Sequence, residues 1–192
     1  MKFFTGQHKF YCGVDLHAST MYICVLDDRG NVKLQKNLKT DPEIFLQAIA
    51  PFREDLVVGV ECMFAWYWLA DLCSREEIHF VLGHALYMKA ISGGKAKNDR
   101  LDALKIATLL RGGSFPMAYV YPPRMRSTRD LLRRRTYVAR QRGSMMTHIK
   151  NTFFQYNLPS PEQNISRKSQ REGVAELIPD AGARRSVRLD WA

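Results

Sequence analysis

Asp99 and Asp102 stand three residues apart in GGKAKNDRLDAL, residues 93–104, where the other charges are Lys95, Lys97 and Arg100. On a helix, positions three apart lie roughly 60° from one another around the axis, so the two carboxylates share a face. Two further acids stand where acids are seldom placed: Asp15 within FYCGVDLH, residues 10–17, and Glu61 at the end of LVVGVE, residues 56–61. Taking a carboxylate out of water costs several kcal/mol, roughly, or forces it to take up a proton, so both need compensation. If the four converge, they repel one another unless hard cations sit among them, and oxygen donors of this kind point to Mg²⁺ or Mn²⁺. Two such ions ~4 Å apart would clamp the attacking and leaving oxygens of a phosphodiester. Lys95, Lys97 and Arg100 would then hold the nucleic-acid backbone near the metals, which explains an acidic pair in a basic segment.

Each acid taken singly has a plainer reading. Asp99 follows Asn98 at a helix start, where a carboxylate gains ~0.3–1 kcal/mol from the helix dipole, and Asp102 could be a solvated surface residue. Asp15 alone could open a turn, and Glu61 alone could pair with a basic neighbour. Acids at all four strand and helix positions together favour the metal site. His17, His84 and His148 have no carboxylate or cysteine at ligand spacing and read as satisfied structural histidines. His17, two residues after Asp15, is the one retained as a support for the site. Phe64, Trp66, Tyr67 and Trp68 run almost all round one helix, which predicts a buried helix rather than a base-stacking platform.

The elements that must position these residues follow from periodicity. Residues 10–17, 20–27 and 32–38 read as a three-stranded antiparallel meander, with Gly30 and Asn31 in the second turn. A helix follows, capped by Thr40 or Asp41 with Pro42 at its first position. LVVGVE is a continuous apolar run, the mark of a strand buried on both faces. Residues 64–73 read as a helix, 78–83 as another buried strand and 98–111 as a helix. The order βββαβαβα matches the ribonuclease H-like (RuvC-like) α/β fold, a mixed sheet with helices on both faces. If the first and fourth strands are neighbours, Asp15 and Glu61 meet at the carboxyl end of the sheet, where open α/β sheets bind ligands.

The chain has 192 residues and a formal net charge of +10, enough for one domain and an extension, and it suggests a polyanionic partner. The excess is concentrated: residues 124–150 hold nine Lys and Arg against the single Asp130. There Leu131, Leu132, Tyr137, Val138, Met145, Ile149 and Phe153 interleave with Arg124, Arg126, Arg129, Arg133, Arg134, Arg135, Arg140 and Arg142. One long amphipathic helix is predicted after Pro122 and Pro123, its arginines contacting DNA or RNA phosphates. The expected division is a metal-binding domain over 1–115 and a basic helical region over 116–192. The four cysteines show no CxxC spacing, so neither a zinc site nor a disulfide framework is indicated. Free thiols, and no apolar run of membrane-spanning or signal-peptide length, point to the cytoplasm with no membrane association.

GVDLHAST, VGVECMFAW, GGKAKNDRLDALKIATLLRGG and YVYPPRMRSTRDLLRRR together strongly resemble the N-terminal half of the DEDD-type insertion-sequence transposases, the one-ten family. The resemblance covers most of the chain. It implies that the family's four acids are Asp15, Glu61, Asp99 and Asp102, the same set reached above. It further implies DNA transposition with Mg²⁺, contact with element ends and target DNA, a structured guide RNA and a homo-oligomeric assembly. The family joins its RuvC-like domain by a helical region to a second domain that bears a nucleophilic serine. No serine of this chain sits in that downstream motif, so the chain is expected to be incomplete and inactive alone. Two alternatives are a two-metal endonuclease of Holliday-junction-resolvase type and a non-catalytic nucleic-acid-binding fragment. An actin-like sugar kinase, suggested only by GVDLHAST, lacks a second glycine-rich phosphate loop.

Overall fold

The computed structural model describes residues 2–92, 98–159, 165, 171 and 173–190. The chain divides into two compact units, Met1–Val120 and Tyr121–Ala192.

The first unit is built on β2 (Phe10–Leu16), β3 (Thr20–Asp27) and β4 (Val32–Lys39), an antiparallel meander as expected. The β3–β4 turn closes on Asp27, whose carboxylate accepts from the Asn31 backbone at 2.7 Å and the Asn31 amide at 2.9 Å, while Gly30 takes φ 88°. Helix α1 (Pro42–Ile49) starts with the expected proline, and Asp41 accepts from the Glu43 and Ile44 amides. A 3₁₀ turn over Ala50–Asp55 leads into β5 (Leu56–Glu61), in which every residue but Glu61 is buried. Then come α2 (Trp66–Arg75), β6 (His79–Gly83), α3 (Ala85–Ser92) and α4 (Asp99–Arg111). The five-stranded sheet has the order β4-β3-β2-β5-β6, with β2, β5 and β6 parallel. This is a ribonuclease H-like sheet, with helices on both faces.

Alternation along the strands separates the two faces. Tyr11 and Val57 pack with Ile106 and Leu110 of α4, and Cys24 and Leu26 pack with Ala103 and Ala107. On the opposite face, α2 brings Cys73 towards Cys12. Burial pushes the Cys24 thiol up to about 11 and the Cys73 thiol up to about 12, so these cysteines stay protonated and serve packing.

Three features were not foreseen. A two-stranded sheet pairs β1 (Phe3–Phe4) with β7 (Phe115–Pro116), strands too short to show any alternation. Helix α3 was also missed. The third is a correction: α2 begins at Trp66, not at residue 64, so Phe64 lies outside the helix and is 74% exposed while Trp66 is buried. No side chain caps this helix start, so the sequence carried no signal for it.

The second unit opens with α5 (Pro123–Gln155), the long helix expected, which takes in Pro123 at its first position rather than starting after it. Its 33 residues span roughly 50 Å. Leu131, Leu132, Tyr137, Val138 and Met145 are exposed. Further along, Ile149 and Phe153 are buried in a small core with Val174, Ile178 and Val187, the last on α6 (Ala181–Leu189).

The close approach of α4 to β2 is made possible by Gly13. A Cβ at this position would lie 2.2 Å from the Ala103 carbonyl oxygen and 2.5 Å from the Ala107 nitrogen. At its register partner Gly59 the nearest atom is the Leu110 Cδ1 at 2.6 Å, the end of a flexible side chain. Only the first clash involves backbone that must move as a body. Gly13→Ala should lower the melting midpoint by about 2–12 °C, from an overpacking cost of ~1–3 kcal/mol. Gly59→Ala should cost less, and circular-dichroism melts of the two variants check the order.

Candidate functional site

Val14 pairs with Val60, so Asp15 and Glu61 are the next residues along two neighbouring parallel strands, at their carboxyl ends. Asp15 shares the face of Gly13 and Glu61 that of Gly59, the side on which α4 packs. Helix α4 begins here because Asn98 caps it, its side-chain oxygen accepting from the Arg100 amide at 3.0 Å. Asp99 lies one turn before Ala103, the residue seated on Gly13, and so reaches the strand ends.

The resulting cluster is compact. The His17 Nε2 lies 3.3 Å from an Asp15 carboxylate oxygen and 3.8 Å from one of Asp99. One ligand atom from each of Asp15, His17 and Asp99 falls within 4.8 Å of the others. Burial raises the pKa of Asp15 above the ordinary carboxylate range; the charges of Asp99 and Asp102 add to this, and His17 acts against it. Two oxygens and an imidazole nitrogen at this separation fit a divalent cation, which would relieve the repulsion that the acids now feel.

The other two predicted acids are placed differently. Asp102 bonds the Lys105 ammonium at 3.0 Å, although its charge still reaches Asp15. Glu61 is half-buried at the end of β5 and is not one of the three residues whose ligand atoms gather. The expectation that His17 has no carboxylate at ligand spacing is corrected: it lies between two. Its proximity to Asp15 was readable from a two-residue spacing, but Asp99 arrives on a distant helix. His148 bonds Asp190 at 2.5 Å, a structural pairing as expected. The His84 Nδ1 is buried and has no hydrogen-bond partner among the described residues, so this histidine differs from the satisfied residue expected.

Lys95 and Lys97 lie outside the described residues. Arg100 is a clamp on the sheet: its Nε donates to the Gln35 side-chain oxygen at 3.0 Å, and Gln35 donates back to the Arg100 carbonyl at 3.3 Å. On α5, Arg126 is buried and its Nε donates to the Tyr121 carbonyl at 2.9 Å. Arg129 pairs with Asp130 at 3.2 Å and sits 5.3 Å above the Tyr121 ring, while Arg134 sits 5.2 Å above that of Tyr137. A groove of ≈ 1020 Å³ beside the helix is lined by Tyr121, Arg124, Arg129, Arg133, Arg134 and Arg140, among others. Arg135 and Arg142 are exposed but do not line it. The arginine–tyrosine contacts were missed because the basic run was read as charge alone.

Residues 12–158 match the transposase family of IS110-type DEDD enzymes. The chain belongs to this family. The match takes in the five-stranded sheet from Cys12 onward, all four acids and the whole of α5. As an IS110-type transposase, the protein is a DNA-transposition enzyme and binds DNA. No curated protein matches the chain. No described helix is long and apolar enough to cross a membrane.

The raised pKa of Asp15 has a definite sign in stability. Above the unfolded carboxylate pKa the native state holds more protons than the unfolded one, so stability falls as pH rises until the folded pKa is passed. The penalty is then fully present at neutral pH. Asp15→Asn should therefore raise the metal-free melting midpoint at pH 7, with the gain shrinking on acidification below the folded pKa. Melts of both proteins across pH 3–8 in a chelating buffer, a range set by ordinary carboxylate titration, measure the difference.

Proposed function

We propose that Asp15, Glu61, Asp99 and Asp102 form the metal-binding catalytic site of this transposase, holding Mg²⁺ or Mn²⁺ against a DNA phosphodiester. The observation that carries this reading is the convergence of Asp15 and Asp99 on His17 at the carboxyl edge of the sheet. The four acids also follow the D-E-D-D order that the family is named for. A divalent cation supplies Lewis-acid polarisation of the phosphodiester when bound. Asp15 offers a half-buried oxygen and Asp99 an exposed one, while His17 orients Asp15 and offers a nitrogen. Asp102 would join by releasing Lys105, and Glu61 from the next strand by a side-chain rotation.

The metal function is assigned to the first unit and phosphate binding to the second. In this reading Arg124, Arg129, Arg133, Arg134, Arg135, Arg140 and Arg142 hold DNA or a structured guide RNA by its phosphates. Arg126, already bonded to Tyr121, shapes the helix start instead. Leu131, Val138 and Met145 recur every seven residues on exposed α5, which supports self-association along the helix. The four free thiols support a reducing, cytoplasmic setting.

Saturating Mn²⁺, at about 100 times its Kd, should raise the melting midpoint by roughly 5–10 °C, the effect of ~2.7 kcal/mol on a chain of this length. Asp15→Asn and Asp99→Asn should abolish that shift and Asp102→Asn should weaken it; an unchanged midpoint in wild type would exclude a metal at this edge. For DNA, log affinity should fall by ~0.7–0.9 per phosphate contact per log unit of salt. Replacing Arg133, Arg134 and Arg135 together with Ala should flatten the measured slope by about 2–3, and an unaltered slope would place the phosphate contacts elsewhere.

A further inference from the structure

Phe64 has no place in the core of its own unit. Trp66 fills the position beneath α2, with its ring edge-on to Tyr67 at 4.5 Å, and the helix starts too late to turn Phe64 inward. The ring is instead held out by a pinned loop. Directly after Glu61 the Met63 amide donates to the Glu61 carbonyl at 2.7 Å, closing a three-residue turn. The Cys62 amide donates to the Gly83 carbonyl at 2.9 Å, tying the same loop to the end of β6. Phe64 emerges 74% exposed, flanked by Met63 at 47%. Three residues of chain reach at most roughly 10 Å, so the ring stands within a nucleotide or two of the Glu61 strand end. Asp15 is the last residue but one of the neighbouring strand, about 4.8 Å away across the sheet.

We propose that the Phe64 ring, backed by Met63, stacks on an unpaired base of the DNA strand whose phosphate lies at Asp15 and Asp99. The placement of that phosphate rests on the metal-site reading above. A flat exposed ring suits a base because every base has an apolar π face, and such stacking is tolerant of sequence. A phosphate held at the carboxylates and a base held on Phe64 would together fix the strand on both sides of its sugar. The base must be unpaired, since inside a duplex both of its faces are covered by neighbouring bases. This chain would thus prefer a melted or branched strand at the sheet edge, while α5 binds phosphates without regard to pairing.

The test uses the 192-residue chain with Mn²⁺ and a DNA oligonucleotide carrying 2-aminopurine, as a single strand and as the matching duplex, with the RNA single strand as a third arm. Phe64→Ala should lower single-strand DNA affinity by about 5- to 140-fold, the range that base–aromatic stacking supplies, and abolish 2-aminopurine quenching. Duplex affinity and the salt slope should not change, because Phe64 touches no phosphate. Phe64→Trp should keep the quenching, whereas Phe64→Leu, apolar but not planar, should behave like Phe64→Ala. A larger loss from Phe64→Ala on the RNA strand than on the DNA strand would overturn the assignment to DNA. Wild-type single-strand binding by Phe64→Ala, or equal losses on both DNA forms, would overturn the stacking, and so would full retention by Phe64→Leu, since a side chain without a plane would then suffice. Asp15→Asn separates the two readings. If Mn²⁺ dependence is absent while the selective Phe64 loss persists, the metal site fails and the stacking stands; if Mn²⁺ dependence holds and Phe64→Ala is silent, the stacking alone fails.

Discussion

The seating of α4 directly on the backbone of β2 is the constraint on which the site depends. It requires a residue without a side chain, and Gly13 meets the Ala103 carbonyl and the Ala107 nitrogen at distances no Cβ could share. Gly59, opposite it on β5, leaves room for Leu110 in the same way. The helix is then fastened near both ends. Arg100 and Gln35 exchange hydrogen bonds at its start, and Arg111 donates to the Asp28 carbonyl at its finish. With its axis fixed in this way, the first turn of α4 has one place to go, and Asp99 arrives beside Asp15.

That placement works against stability. Asp15 is partly withdrawn from water and surrounded by the charges of Asp99 and Asp102, so its carboxylate is held in a form the fold disfavours. His17 offsets part of the cost, and Lys105 draws Asp102 aside into an ion pair. Like charges kept together by a rigid scaffold are the electrostatic counterpart of a cation site, since a cation turns each repulsion into an attraction. The cost is tolerable because the hydrophobic packing beneath it, from Tyr11 and Val57 to Leu110, is continuous.

The chain separates its two kinds of charge. Residues 1–88 hold more acids than bases, whereas α5 carries its nine basic residues against one acid. Arg100, which stands between Asp99 and Asp102 in the chain, is spent on Gln35. On α5, by contrast, Arg129 and Arg134 lie over the rings of Tyr121 and Tyr137, which fixes where their guanidinium planes face.

Much of this was legible in the sequence. Asp15 and Glu61 stood out because an acid inside an apolar strand needs a reason, and Asp99 and Asp102 because three-residue spacing on a helix puts them on one face. The meander, the apolar β5, the Asp41 cap and the long helix after Pro122 are all local patterns, governed by periodicity and turn chemistry over a few residues. Tertiary structure decided the rest. The convergence of Asp99 with His17, the retreat of Asp102 to Lys105, the clamp role of Arg100 and the exposure of Phe64 arise between segments far apart in the chain, or at a helix start with no cap to announce it. Gly13 shows the difference most plainly: as a residue it is only a weak point in a strand, and its purpose exists only once a helix lies against it.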